Sequence, residues 1–185
     1  MNDAIHETAI VEPDVLIGGG TKIWHHAHIR AGSEIGENCT IGKNVFVDAG
    51  VTIGDRVKIQ NNVSVYSGVF LEDDVFVGPS AVFTNDRLPR ASSQDWKVVE
   101  TRVRRGASIG ANATLVAPVE IGAWSMVAAG AVVTRSVEPY ELVAGNPARR
   151  IGWICRCGQV LARGSDPLVP TTCGHCGTRI PGEPD

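Results

Sequence analysis

Two close cysteine pairs carry the plainest chemistry in the chain: Cys155-x-Cys157 and, fifteen residues further on, Cys173-x-x-Cys176. Paired cysteines across a short segment are the sequence form of a zinc ribbon, in which four thiolates surround the ion tetrahedrally. Four thiolates leave no open position, so such a site is structural and not catalytic. The first pair is one residue shorter than the usual spacing. Disulfides and unliganded thiols are the alternative readings, and His175 is read as a bystander. The fifth cysteine, Cys39, occupies a small inward position and reads as a buried thiol. Three histidines close in sequence, His25, His26 and His28, look suggestive. A run this tight is disfavoured as a metal site.

The other residues with chemical potential lie in a stretch that lacks periodicity, NDRLPRASSQDWKVVET, which carries Asn85, Asp86, Arg90 and Trp96. A long segment of this kind inside a regular chain is usually functional or disordered. Its meaning depends on what surrounds it. The 185 residues are 43% hydrophobic, 5% aromatic and 20% charged, with a formal net charge of -3 and 21 glycines. That balance leaves no electrostatic footprint for nucleic acid or a membrane surface. No basic-then-apolar leader opens the sequence, and no stretch approaches 18 uninterrupted apolar residues. Five cysteines without a leader point to a reducing compartment, and the expected location is the cytoplasm.

The positioning element is a repeat. Every sixth residue from Val11 to Phe83 is large and apolar, and the register resumes from Val103 to Val133, giving nineteen anchors without an exception. Two residues before the anchors lie small or β-branched residues such as Val45, Val51, Val57, Ala107 and Ala113. Residues two apart on a strand share a face, so each pair projects inward. Three residues after the anchors come Gly20, Gly32, Asn38, Asn44, Gly50, Asn62, Gly68 and Asp74. These types tolerate a left-handed backbone and predict a corner after every short strand. An α-helix would scatter sixth residues over drifting faces, and hairpins would need a different turn chemistry. The solution is an all-β parallel solenoid.

The pattern resembles the hexapeptide-repeat acyltransferases over residues 11–138. The resemblance implies a left-handed parallel β-helix of about six turns, capped by a C-terminal helix or an extra segment, and a homotrimer. Phe46, Phe70, Phe76 and Val82 are then candidate trimer contacts. The stretches IQNNVSVYSGVFLEDDVFVGPSAVFTNDRLPR, GASIGANATLVAPVEIG and GNPARRIGWICRCG resemble a narrower group, the N-acetyltransferases of nucleotide-linked 3-amino sugars in surface-polysaccharide biosynthesis. The match implies acetyl-CoA as donor and a UDP-linked 2-acetamido-3-amino-2,3-dideoxyglucuronate as acceptor. A dTDP-linked 3-amino-3,6-dideoxyhexose is the alternative. Many relatives use a loop histidine as base, yet none lies between His28 and His175. The resemblance points instead to Asn85, which orients the amine through its carbonyl. It implies that the loop, placed at 86–102, covers the site from a neighbouring subunit.

Arg90 is a candidate for the diphosphate or a carboxylate, and Gln60, Asn61 and Tyr66 are candidates for the nucleotide sugar. By the same resemblance Arg135, Asn146, Pro147, Arg149 and Arg150 meet the coenzyme. The chain divides as residues 1–150, the β-helix, and 151–185, the zinc knuckle. The missing loop histidine argues against a simple O-acetyltransferase, and the well-formed loop against a non-catalytic scaffold.

Overall fold

The structure, a computed structural model, describes residues 4–93 and 95–181. Through the repeat, strands of two or three residues pair in parallel with the strand one turn later. Ile29 lies on Val47 and Val47 on Val65, each 18 residues apart. Three sheets result, of seven, six and nine strands, and they form the three faces of a prism. The anchors and the small residues two before them fill its interior: Val57, Ile59, Val63, Val65, Ile109 and Leu115 are wholly buried. Cys39 is buried among them, its Sγ 3.1 Å from the Gly54 carbonyl.

The nineteen hexads supply seven, six and six strands to the three faces, and further rungs beyond both ends complete about seven turns. Ile5 bridges Ile23 below the first hexad, and Val137 bridges Ile121 above the last. All eight expected corner residues have positive φ, between 56° and 90°. Arg56, Ser80 and Trp124 adopt the same conformation without being suited to it. Stacking on well-formed neighbours overrides the local preference of those three residues, a cost of about 1–2 kcal/mol each.

The insertion is visible as a jump in register. Leu71 pairs with Val103, 32 residues on, so fourteen residues leave the turn and return. Strand Thr101–Val103 begins earlier than the sequence indicates, and the irregular segment is 84–100 and not 86–102.

Above Val133 the hexads give way to strand Glu141–Gly145. Strand Ala148–Ile154 folds back antiparallel on it, and strand Val160–Arg163 adds antiparallel to that. The cap is thus an extra segment, and no helix occurs among the described residues. The boundary expected at 150/151 falls inside strand Ala148–Ile154, which is bonded to the last turn on one side and to the knuckle on the other. Among the described residues no helix is long and apolar enough to cross a membrane.

Two glycines separate the demands of the fold. A Cβ on Gly50 (φ 68°) meets nothing within 4 Å, whereas one on Gly36 meets the Gly54 backbone at 2.6 Å in the next turn. Gly50→Ala should therefore cost about 1 kcal/mol from conformation alone, and Gly36→Ala about 3 kcal/mol by forcing turns apart. Chemical denaturation of the two variants checks this, and equal losses would contradict it.

Candidate active site

The corner between the first and second sheets differs from the other two. At the position just after the anchor, glycines recur on the other edges: Gly18, Gly36, Gly54 and Gly122 beside Glu72 and Arg104 on one, Gly42, Gly78 and Gly110 beside Trp24, Gln60 and Ala128 on the other. The first edge has none there and instead shows Glu12, Arg30, Asp48, Tyr66, Thr84, Val116 and Thr134. Coil stacking brings a glycine's Cβ position against the next turn's backbone, so side chains at this position need a corner with more room.

Asn85 stands on this edge where the loop departs. Its Nδ2 donates to the Ser67 carbonyl (3.2 Å), and its own carbonyl accepts from Val99 N–H (3.0 Å), closing the neck of the loop. Its Oδ1 has no partner among the described residues. Ser67 is held in turn: its N–H and hydroxyl both donate to Asp48 Oδ2 (3.2 and 3.0 Å). Arg30 donates to Asp48 Oδ1 (2.8 Å), and His28 lies 2.7 Å from Glu12. One polar ladder thus runs down the edge from Asn85 to Glu12. Burial pushes the Asp48 carboxyl up, but the N–H groups of Ala49 and Ser67 and the Arg30 guanidinium outweigh it and hold it below the usual range. Asp48 is therefore a permanent acceptor at neutral pH. The Ala31 N–H and then His28 hold Glu12 low in the same way.

Tyr66 is half-exposed one turn below Thr84, and Phe46 bridges its ring to His28 with centroids 6.1 and 5.6 Å apart. Arg135 is exposed two turns above Asn85 on the same edge, about 10 Å away at the spacing of paired strands. Arg90 is exposed on the loop, where its Nη1 donates to the Pro89 carbonyl.

Other expected site residues lie elsewhere. Gln60 and Asn61 occupy the corner between the third and first sheets, across a face from Asn85. The Asn61 Oδ1 already accepts from Lys43 N–H (2.9 Å). Asn146 and Pro147 form the turn between the two last long strands, with Arg149 exposed beside them. Arg150 is committed elsewhere: its Nε donates to buried Glu141 (3.1 Å) and its guanidinium lies 4.1 Å over the Trp153 ring. The four cysteines converge in the knuckle, remote from Asn85 in the chain.

A cavity of about 480 Å³ on the outer second sheet is lined by Thr52, Phe70 and Arg102, among others. Its charges are spent internally, Arg104 on Glu72 and Glu120, and Arg102 on Glu100 and over Phe70. That leaves the first edge as the better site. Its glycine-free column was the sequence signal for it, and it also exposes Ser67 and Asp48, which the motif reading passed over.

Residues 34–67 match the family model described as hexapeptide repeat of succinyl-transferase, and residues 14–49 and 100–135 match that described as bacterial transferase hexapeptide (six repeats). A dTDP-3-amino-3,6-dideoxy-alpha-D-galactopyranose 3-N-acetyltransferase from Aneurinibacillus thermoaerophilus is 48% identical over 83% of this chain and 79% of its own. The chain belongs to the hexapeptide-repeat acetyltransferases. Among solved structures, a hexapeptide-repeat acetyltransferase from Vibrio cholerae, complexed with acetyl-CoA, is 28% identical with a TM-score of 0.57 over 66% of this chain and 70% of its own. A GDP-perosamine N-acetyltransferase variant from Caulobacter crescentus, in complex with CoA and GDP-perosamine, is 26% identical with a TM-score of 0.52 over 80% of this chain and 56% of its own.

For a hexapeptide-repeat acetyltransferase, the two neighbouring arginines divide into different jobs. Arg150→Ala should lower stability by about 3 kcal/mol, because it strands the Glu141 carboxylate in the interior. Arg149→Ala should leave stability unchanged within about 0.5 kcal/mol. Denaturation midpoints of the two variants decide it, and a neutral Arg150→Ala would refute the structural role.

Proposed function

We propose that the protein transfers the acetyl group of acetyl-CoA to the 3-amino group of a nucleotide-linked amino sugar, with Asn85 orienting the amine. The observation that carries this is the Asn85 amide: its Nδ2 is anchored on Ser67 and its Oδ1 is left open as an acceptor. An oriented neutral amine attacks the thioester carbonyl carbon. The C–N bond forms, the tetrahedral intermediate collapses with loss of the C–S bond, and the amine's proton neutralises the departing thiolate. Orientation of this kind supplies a large part of a barrier reduction without a base. His28, three turns below Asn85 and about 14 Å away at the strand-pairing distance, is too far to act as one.

The acceptor we favour is a dTDP-linked 3-amino-3,6-dideoxyhexose, the alternative of the sequence reading, ahead of the UDP-linked amino glucuronate. The 48% identical relative, a dTDP-3-amino-3,6-dideoxy-alpha-D-galactopyranose 3-N-acetyltransferase, supports it, and the Caulobacter crescentus neighbour, in complex with GDP-perosamine, supports an amino-sugar nucleotide in general. A nucleotide laid along the first edge with its sugar at Asn85 would run past Tyr66 toward Phe46 and His28. Arg135, above Asn85 on the same edge, suits a phosphate of the coenzyme. Leu88 and Trp96 on the loop are 76% and 53% exposed, which fits contact with a neighbouring chain in a trimer. In that assembly Gln60 of a second copy could approach the site that its own chain holds apart.

Thiol release from acetyl-CoA should occur with the dTDP-linked 3-amino-3,6-dideoxyhexose and be slow with the UDP-linked 3-amino glucuronate. Asn85→Ala should lower kcat about 100-fold or more with little change in the KM for acetyl-CoA. Tyr66→Ala should raise the KM for the nucleotide sugar. Turnover with the UDP substrate alone would restore the first expectation for the acceptor, and turnover with neither would overturn the proposal.

A further inference from the structure

The chain beyond Ile154 has too little core to hold itself. Its apolar cluster is Trp153, Cys155, Leu168, Cys173 and Ile180, with Tyr140 and Leu161 against it. Units of this size are normally stapled by a disulfide or a metal. The four Sγ atoms of Cys155, Cys157, Cys173 and Cys176 all lie within 4.8 Å of one another. The Cys155–Cys176 and Cys157–Cys173 separations are 3.6 and 3.8 Å. Both are far beyond a disulfide bond of about 2.05 Å. Both match the edge, about 3.8 Å, of a sulfur tetrahedron with ion–sulfur distances near 2.3 Å.

The two halves of the cluster have related architecture. Gly158 N–H donates to the Cys155 carbonyl and Gly177 N–H to the Cys173 carbonyl (2.8 and 2.9 Å). In each half the residue right after the second cysteine is a glycine with positive φ, Gly158 at 89° and Gly177 at 71°. This turn aims backbone N–H groups back at the sulfurs, as thiolates require. Arg156 Nε donates to Thr178 Oγ1 (3.1 Å), which lies 3.2 Å from Cys176 Sγ and ties one half to the other. Among the described residues no histidine or carboxylate joins the group of four sulfurs.

The cluster also has a place in the fold. Trp153 Nε1 donates to the Asp166 carbonyl (2.8 Å), and the same indole carries the Arg150 guanidinium that pairs with Glu141 of the last turn. Strand Val160–Arg163, at the base of the knuckle, covers the edge of strand Ala148–Ile154 that would otherwise be open for pairing with another chain.

We propose that Cys155, Cys157, Cys173 and Cys176 bind one zinc ion as a closed tetrathiolate, and that this ion clasps the knuckle onto the last turn and seals the upper edge of the solenoid. The ion takes no part in acetyl transfer. The full-length protein, purified under reducing conditions, should contain one zinc per chain by elemental analysis. Replacement by cobalt should give thiolate-to-metal charge transfer and the d–d bands of a tetrahedral four-sulfur site. The double variant Cys157→Ser/Cys176→Ser should lose the metal and the cobalt spectrum. Its knuckle should be cleaved by trypsin at Arg156, Arg163 or Arg179 roughly tenfold faster or more, with the solenoid still resistant. Should the variant fail to fold, zinc stripping of the wild-type protein by a chelator, followed by the same digestion and by zinc re-addition, gives the same readout. Four thiols oxidised in two disulfides, bound iron in place of zinc, or zinc retained in full by the double variant would each overturn the proposal.

Discussion

Every turn of this protein sits directly on the one beneath it at the separation of hydrogen-bonded strands, and that stacking is the constraint on which everything else rests. It gives each uninterrupted turn of hexads 18 residues, so that Val47 meets Ile29 below and Val65 above. It drives most corners to turn with positive φ, even where the residue is Arg56 or Trp124. It also turns sequence separation into height. Residues 18 apart become neighbours in a column, and a column of like or complementary groups becomes a continuous feature of the surface.

The candidate active edge follows from this. Close stacking favours glycine after the anchor on two corners, and on the third the side chains of Asp48, Tyr66 and Thr84 stand in line. Extra residues can leave a solenoid only at a corner without breaking the pairing of its faces. The fourteen-residue loop does so directly at Asn85, whose carbonyl closes the neck through Val99 while its side-chain amide is pinned to Ser67. A rigid ladder below and a loop above thus fix one amide group. That is the arrangement a reaction governed by orientation needs.

The fold was readable in the sequence because its constraint acts on every sixth residue, and nineteen apolar anchors repeat one message. The insertion was readable because it breaks that message. Its end lies two residues earlier than expected, because the strand begins at Thr101, the β-branched residue two before the anchor Val103, and not at the anchor itself. The roles of single polar residues were less legible. Arg150 looks like any phosphate-binding arginine until Glu141 and Trp153 are seen around it. Gln60 and Asn61 are close to Tyr66 in sequence, yet a whole face separates them from the edge that Tyr66 shares with Asn85. Strand Ala148–Ile154 crosses the expected domain boundary because it must pair on both sides, a demand that local sequence does not announce.

The most direct test of the account is a crystal structure with CoA and a dTDP-linked 3-amino-3,6-dideoxyhexose bound together. The account predicts the 3-amino nitrogen within hydrogen-bonding distance of the Asn85 Oδ1, with the nucleotide lying along the edge of Tyr66 and Phe46. A nucleotide sugar seated on another edge, or an amine facing any group other than Asn85, would contradict it.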